Sequence, residues 1–269
     1  MRGRWVGRRM MCTGFWKQHQ WIGAALLAAL TIFAGRSAAA KVLSRTTTVA
    51  GVKVHYKVVL PDHYDPATTY PAVLGFGGGP QTMDTVDGLL DSYLRDQAEK
   101  RGYIVVAPAA PDGELFFQGG ERIFPAFLRQ ILADYHVEGG KFNVAGPSNG
   151  GISAFHVASL YPQYFVSITA FPGYLPDPTA AHVRAIAGMC IDMFVGQVDP
   201  LGWQGAMRDQ AEKLRAMGIH ARFTVELGQP HRLQTLAGRN AHRLFDLFDQ
   251  ARHGCASPAA AATAAPPGR

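Results

Sequence analysis

An apolar run, Phe142-Asn143-Val144-Ala145, passes directly into Gly146-Pro147-Ser148-Asn149-Gly150. A segment with Ala154, Val157, Ala158 and Leu160 at helical spacing follows at once. No other junction in the chain restricts the fold as much. A buried strand that becomes a helix within five residues brings the two backbones nearly into contact, and glycines on both sides of the turn relieve that crowding. The junction also implies layers, because the strand must pair in a sheet and the helix must return across one of its faces.

The rest of the chain keeps the same alternation. Residues 46–60 alternate in part (Val52, Val54, Tyr56, Val58) around Ala50-Gly51, which predicts a β-hairpin. Ala72-Val73-Leu74-Gly75-Phe76 is an apolar run ending in three glycines, Gly77, Gly78 and Gly79. Val86, Leu89, Leu90, Tyr93, Leu94 and Ala98 predict a helix over 84–101 with Gly102 as its stop. A short strand at 104–107 and an apolar helical face from Ile123 to Tyr135 precede the central junction. After it come strands at 165–171, 189–195 and 221–227, with helices over about 203–217 and 234–251. Strands alternating with amphipathic helices define an α/β class, a mostly parallel sheet with helices on both faces.

The two ends read differently. Residues 1–40 run from a basic start (Arg2, Arg4, Arg8, Arg9, Lys17) through an apolar stretch, Trp21 to Ala34, to Ala38-Ala39-Ala40. That order predicts a secretory leader cleaved before Lys41, with periplasmic or extracellular export. A retained anchor is the alternative and would be the one membrane contact, although the apolar stretch is shorter than the roughly 20 residues of a bilayer span. Six of the 26 Lys and Arg and none of the 20 Asp and Glu precede Lys41, so the remainder is formally neutral and gives no reason for a nucleic-acid partner. Residues 256–269 are almost wholly Ala, Pro, Ser, Thr and Gly and predict a disordered tail. The segment 41–255 suits one catalytic domain.

Gly146-Pro147-Ser148-Asn149-Gly150 fits G-x-S-x-G in the strand–turn–helix setting of a nucleophile elbow, so Ser148 is the candidate nucleophile. A serine hydroxyl needs a base, and the base needs an orienting acid, in the chain order Ser, Asp or Glu, His. Asp199 follows the 189–195 strand by a short loop, whereas Asp192 lies inside that strand and Asp177 in a Pro-rich loop. His231 follows the 221–227 strand after Gly228-Gln229-Pro230; His220, His242 and His253 fall at a strand start or in a helix. Oxyanion donors are expected from the Asn149 backbone N–H and from the glycine loop, Gly77 ahead of Gly78. The loop lacks the third glycine of a dinucleotide fingerprint and no Gly-Lys-Ser/Thr follows, so it is not expected to be a dinucleotide or phosphate loop, and no His, Cys or acidic cluster has metal-ligand spacing, so no metal is expected. Phe116, Phe117, Phe171, Tyr174 and Trp203 are candidates for an apolar pocket or for core, and the 172–188 connection is short for a lid, which predicts an open cleft.

Gly75–Gly79, Val144–Gly151, Asp199 and His231 together resemble secreted α/β-hydrolases of the polyhydroxybutyrate-depolymerase and feruloyl-esterase type. The resemblance implies the α/β-hydrolase fold and cofactor-free cleavage of a small or polymeric ester through an acyl-enzyme. Where that group commonly carries a histidine before the oxyanion glycines, this chain has Phe76. A serine peptidase of the same fold and an inactive hydrolase-fold binding protein are the alternatives. Of the three cysteines, Cys190 and Cys255 lie beyond the leader. Cys190 opens a strand and Cys255 follows the last helix, so both are expected at the non-catalytic end, where either a bridge or two unconnected thiols fit the sequence.

Overall fold

The computed structural model describes residues 42–255, which build an eight-stranded sheet in the order β1-β2-β4-β3-β5-β6-β7-β8. The strands are β1 (Val42–Val49), β2 (Val52–Val59), β3 (Tyr70–Gly75), β4 (Ile104–Pro108), β5 (Val137–Gly146), β6 (Phe165–Ala170), β7 (Cys190–Gly196) and β8 (Ala221–Glu226). The hairpin β1–β2 joins β4 antiparallel, and every pairing from β4 onward is parallel. The leader and the tail lie outside the described residues, among which no helix is long and apolar enough to cross a membrane.

Period-two alternation divides the parallel strands between two apolar layers. Leu74, Val106, Val144, Ile191 and Met193 face one layer, with α3 (Ala126–Asp134), α4 (Asn149–Leu160) and α6 (Trp203–Ala216). Val73, Val105, Ala145 and Phe194 face the other, with α1 (Met83–Leu89), α2 (Arg95–Arg101) and α7 (His242–Arg252). A short helix, α5 (Ala180–Ala185), lies in the connection between β6 and β7. Strands buried on both faces read as near-continuous apolar runs, and every residue of β4 and β7 is buried, Asp192 being the one charged member.

The helices depart from their expected bounds for local reasons. The 84–101 segment is helical throughout, but Leu90–Leu94 takes π form between α1 and α2, a widened turn in which Leu90, Tyr93 and Leu94 are all buried. Pro125, with no N–H to leave unpaired, stands ahead of α3, so Ile123 belongs to a preceding 3₁₀ turn rather than to the helix. The last helix begins at His242 and not at 234: Ala237 is extended and Gly238 left-handed (φ +56°), which breaks the path into two 3₁₀ turns before α7. Leu233, Leu236 and Leu244 stay buried across that break, so the apolar pattern survives the change of helix type.

Candidate active site

The turn between β5 and α4 carries Ser148 at φ +55°, ψ −124°, a left-handed conformation that a residue with a side chain holds only under constraint. The constraint is visible. Ser148 N–H donates to the Pro172 carbonyl at 2.7 Å, and Gly150 N–H to the Pro147 carbonyl at 2.8 Å. A Cβ on Gly146 would sit 2.5 Å from the Phe76 carbonyl oxygen, and one on Gly150 would clash with the same oxygen. The glycines thus let the elbow press against the end of β3, beside the Gly77–Gly79 loop.

Asp199 and His231 come from different loops, and the structure brings them together. His231 Nδ1–H donates to Asp199 Oδ2 at 2.8 Å; the carboxylate is buried, 1% exposed, and its Oδ1 accepts from Leu201 N–H at 2.9 Å. The loops are stitched by main-chain bonds, Val198 N–H to Gln229 O at 3.0 Å and Gln197 N–H to Glu226 O at 2.9 Å. Gly196 is required here, since a Cβ would strike the carbonyls of Gln229 and Pro230. Trp203, first residue of α6, meets the imidazole edge to face with centroids 5.2 Å apart, and Tyr174 packs on Trp203 in turn. His231 Nε2 is buried with no hydrogen-bond partner among the described residues.

Asp192 goes elsewhere. Its carboxylate accepts from Arg222 Nε, and Arg222 in turn donates to Gln250 Oε1 on α7. Of the aromatic candidates, Phe116 and Phe171 are fully buried core, while Tyr174 and Trp203 are half-buried beside the imidazole. Phe76, in the place of the expected histidine, packs on Phe116 and Phe124.

An open cleft of about 320 Å³ joins the two halves of the site, lined by Gly78, Thr85, Leu89, Tyr93, Pro147 and His231. A larger concavity of about 690 Å³ runs between the 174–186 segment and α6, bordered by Leu175, Val183, Ile186, Leu214 and Met217, and reaches neither the elbow nor the imidazole. The smaller one borders both the elbow, at Pro147, and the imidazole of His231. One polar residue near it escaped the sequence reading: Gln81, fully buried behind the glycine loop. A glutamine after Gly-Pro reads as a solvated turn, and only the fold shows what surrounds it.

This arrangement of sheet, elbow and loops is the α/β-hydrolase fold. No family model matches the chain. A feruloyl esterase module from Clostridium thermocellum superposes with TM-score 0.61 at 17% identity, over 78% of this chain and 87% of the module. A Thermogutta terrifontis esterase, solved phosphorylated by paraoxon, gives TM-score 0.60 at 19% identity over 82% and 97%. By sequence, the chain is 32% identical over 128 residues to dipeptidyl-peptidase 5 of Porphyromonas gingivalis, a match spanning 43% of this chain and 19% of that protein.

Proposed function

We propose that the protein is an exported serine hydrolase that cleaves a carboxylic ester through an acyl-enzyme on Ser148. The observation that carries this reading is the Asp199–His231 hydrogen bond beside an unpartnered Nε2, in the same cleft as a strained serine turn. A carboxylate on Nδ1–H keeps the basic lone pair on Nε2, where a serine proton can be taken. In this mechanism Ser148 Oγ attacks the ester carbonyl as Nε2 accepts its proton. The tetrahedral intermediate collapses, the C–O bond breaks, and the imidazolium returns the proton to the leaving alcohol. Water then attacks the acyl-enzyme by the same route and releases the acid. The backbone N–H groups of Asn149 and of the glycine loop would hold the oxyanion.

Export rests on the leader-like first forty residues, and the Cys190–Cys255 disulfide supports it, because such bonds persist in oxidising compartments. N-terminal sequencing of the protein recovered outside the cytoplasm should begin at Lys41.

The ester reading is tested with a fluorophosphonate probe and a panel of p-nitrophenyl esters of rising chain length plus a feruloyl ester. Ser148 should be labelled, and Ser148→Ala should lose both label and hydrolysis while its circular dichroism stays unchanged. A folded Ser148→Ala that keeps wild-type turnover would refute the assignment. The match to a dipeptidyl-peptidase favours a second reading, amide cleavage by the same residues. Dipeptide-coumarin amides beside the esters separate the two: faster kcat/KM on the amides would replace esterase by peptidase.

A further inference from the structure

Gln81 holds a position that no step above uses. It is fully buried and has a left-handed backbone, φ +54°, uncommon for a residue with a side chain. Its Oε1 accepts the Phe116 N–H at 3.0 Å, which orients the carboxamide, since an N–H must face the oxygen. Nε2 then points toward the site. It donates to Ser153 Oγ on the nucleophile helix at 2.8 Å and to the Gly77 carbonyl at 3.2 Å, and the Asn149 carbonyl lies 3.5 Å away. The main chain adds two ties, Gln81 N–H to Gly78 O at 3.2 Å and Ala110 N–H to Gln81 O at 2.8 Å.

The Gly77 carbonyl and the Gly78 N–H belong to one planar trans peptide unit, so they point in opposite directions. A donor that fixes the carbonyl from behind therefore fixes the N–H in front and polarises it. The front is the site: a Cβ on Gly78 would lie 3.6 Å from Ser148 Cβ and 3.1 Å from the Pro147 carbonyl oxygen, and Gly78 lines the cleft with His231. The same carboxamide grips α4 through Ser153, and the other expected donor, Asn149 N–H, opens that helix. One side chain thus sets the spacing of two donors that come from segments about seventy residues apart.

We infer that Gln81 is a positioning residue for the oxyanion site, and that Gly78 rather than Gly77 supplies the glycine-loop donor. This rests on the serine-hydrolase reading. The test compares an ester with its matched thionoester, whose sulfur accepts hydrogen bonds poorly and so profits little from an oxyanion site. Gln81→Met keeps the side-chain length and removes the donor. Losing one oxyanion donor outright costs about 10²–10³ in kcat, and a misaimed donor should cost about tenfold or more. Ester kcat should fall by that factor with KM little changed, and the ester-to-thionoester ratio should fall with it. An unchanged ratio, or equal losses on both substrates, overturns the proposal. Ser153→Ala removes only the brace behind the carboxamide and decides the matter should Gln81→Met not fold. It should lower the ratio about threefold, well short of a full donor loss, and no change there overturns the proposal. Wild-type protein that neither labels at Ser148 nor cleaves the ester would instead bring down the hydrolase reading itself.

Discussion

At the residue scale, Asp199 and Asp192 are chemically alike and seven positions apart, and their surroundings give them different work. Asp199 accepts the His231 Nδ1–H, while Asp192 is held by Arg222 on the layer that includes α7. Asp199→Asn would turn the acceptor into a donor and favour the wrong imidazole tautomer, so kcat should fall by about 10³–10⁴ with the fold intact. Asp192→Asn should lower the melting temperature and leave kcat near wild type. The two variants, assayed on the same ester with a thermal melt for each, distinguish the orienting acid from the structural one. Equal loss of turnover in both would move the acid to Asp192.

At the element scale, β8 carries His231 to its place, and the anchor of that strand's end is Glu226. Its carboxylate accepts from the two terminal guanidinium nitrogens of Arg243, at 2.7 and 3.0 Å, and Arg243 also donates to the Thr235 carbonyl at 3.1 Å. Burial alone would raise the Glu226 carboxyl, but the hydrogen bonds from Arg243 and Thr235 and the Arg243 charge outweigh it and hold it below its ordinary value. A carboxyl held down in the folded state contributes stability that is complete above the ordinary carboxylate range and is lost as pH falls through the folded value. Arg243→Met leaves a buried carboxylate without its partner and should cost about 1–3 kcal/mol at neutral pH. Below about pH 4.5 the wild-type melting temperature should drop more steeply than the variant's, because only the wild type has this stabilisation to lose. Parallel melting curves against pH would count against the brace.

At the scale of the whole molecule, the last described residue is tied back to the start of an inner strand at one pole of the sheet. Cys190 begins β7 and Cys255 follows α7, and the two are bonded with Cα atoms 5.2 Å apart across 65 residues of chain. The loops that carry Ser148, Asp199 and His231 leave the opposite, carboxyl ends of the strands, so the bridge and the candidate site are at separate poles. Closing a loop of that length is worth about 4 kcal/mol in the chain-entropy model. Cys190→Ser with Cys255→Ser should therefore unfold at lower denaturant, by about that free energy, yet keep wild-type kcat at 25 °C. A double variant that loses turnover while still folded would show the two poles coupled.

The layer architecture, the elbow and the pairing of Asp199 with His231 were legible in the sequence. Short continuous apolar runs between helical segments fit strands buried on both faces of a sheet. A serine between glycines at a strand–helix junction has few places to go, and chain order then leaves Asp199 and His231 at strand ends. The tertiary structure decided what depends on contacts between distant segments. Gln81 is the plainest case: its meaning lies in Gly77, Phe116 and Ser153, up to 72 positions away, and no local pattern marks a buried carboxamide. The late start of α7 follows from extended Ala237 and left-handed Gly238, and the π turn buries Leu90, Tyr93 and Leu94 within a periodicity that several helix types satisfy equally. Local rules specify which element a segment becomes. The orientation of one peptide plane in the glycine loop is settled only when three segments close around it.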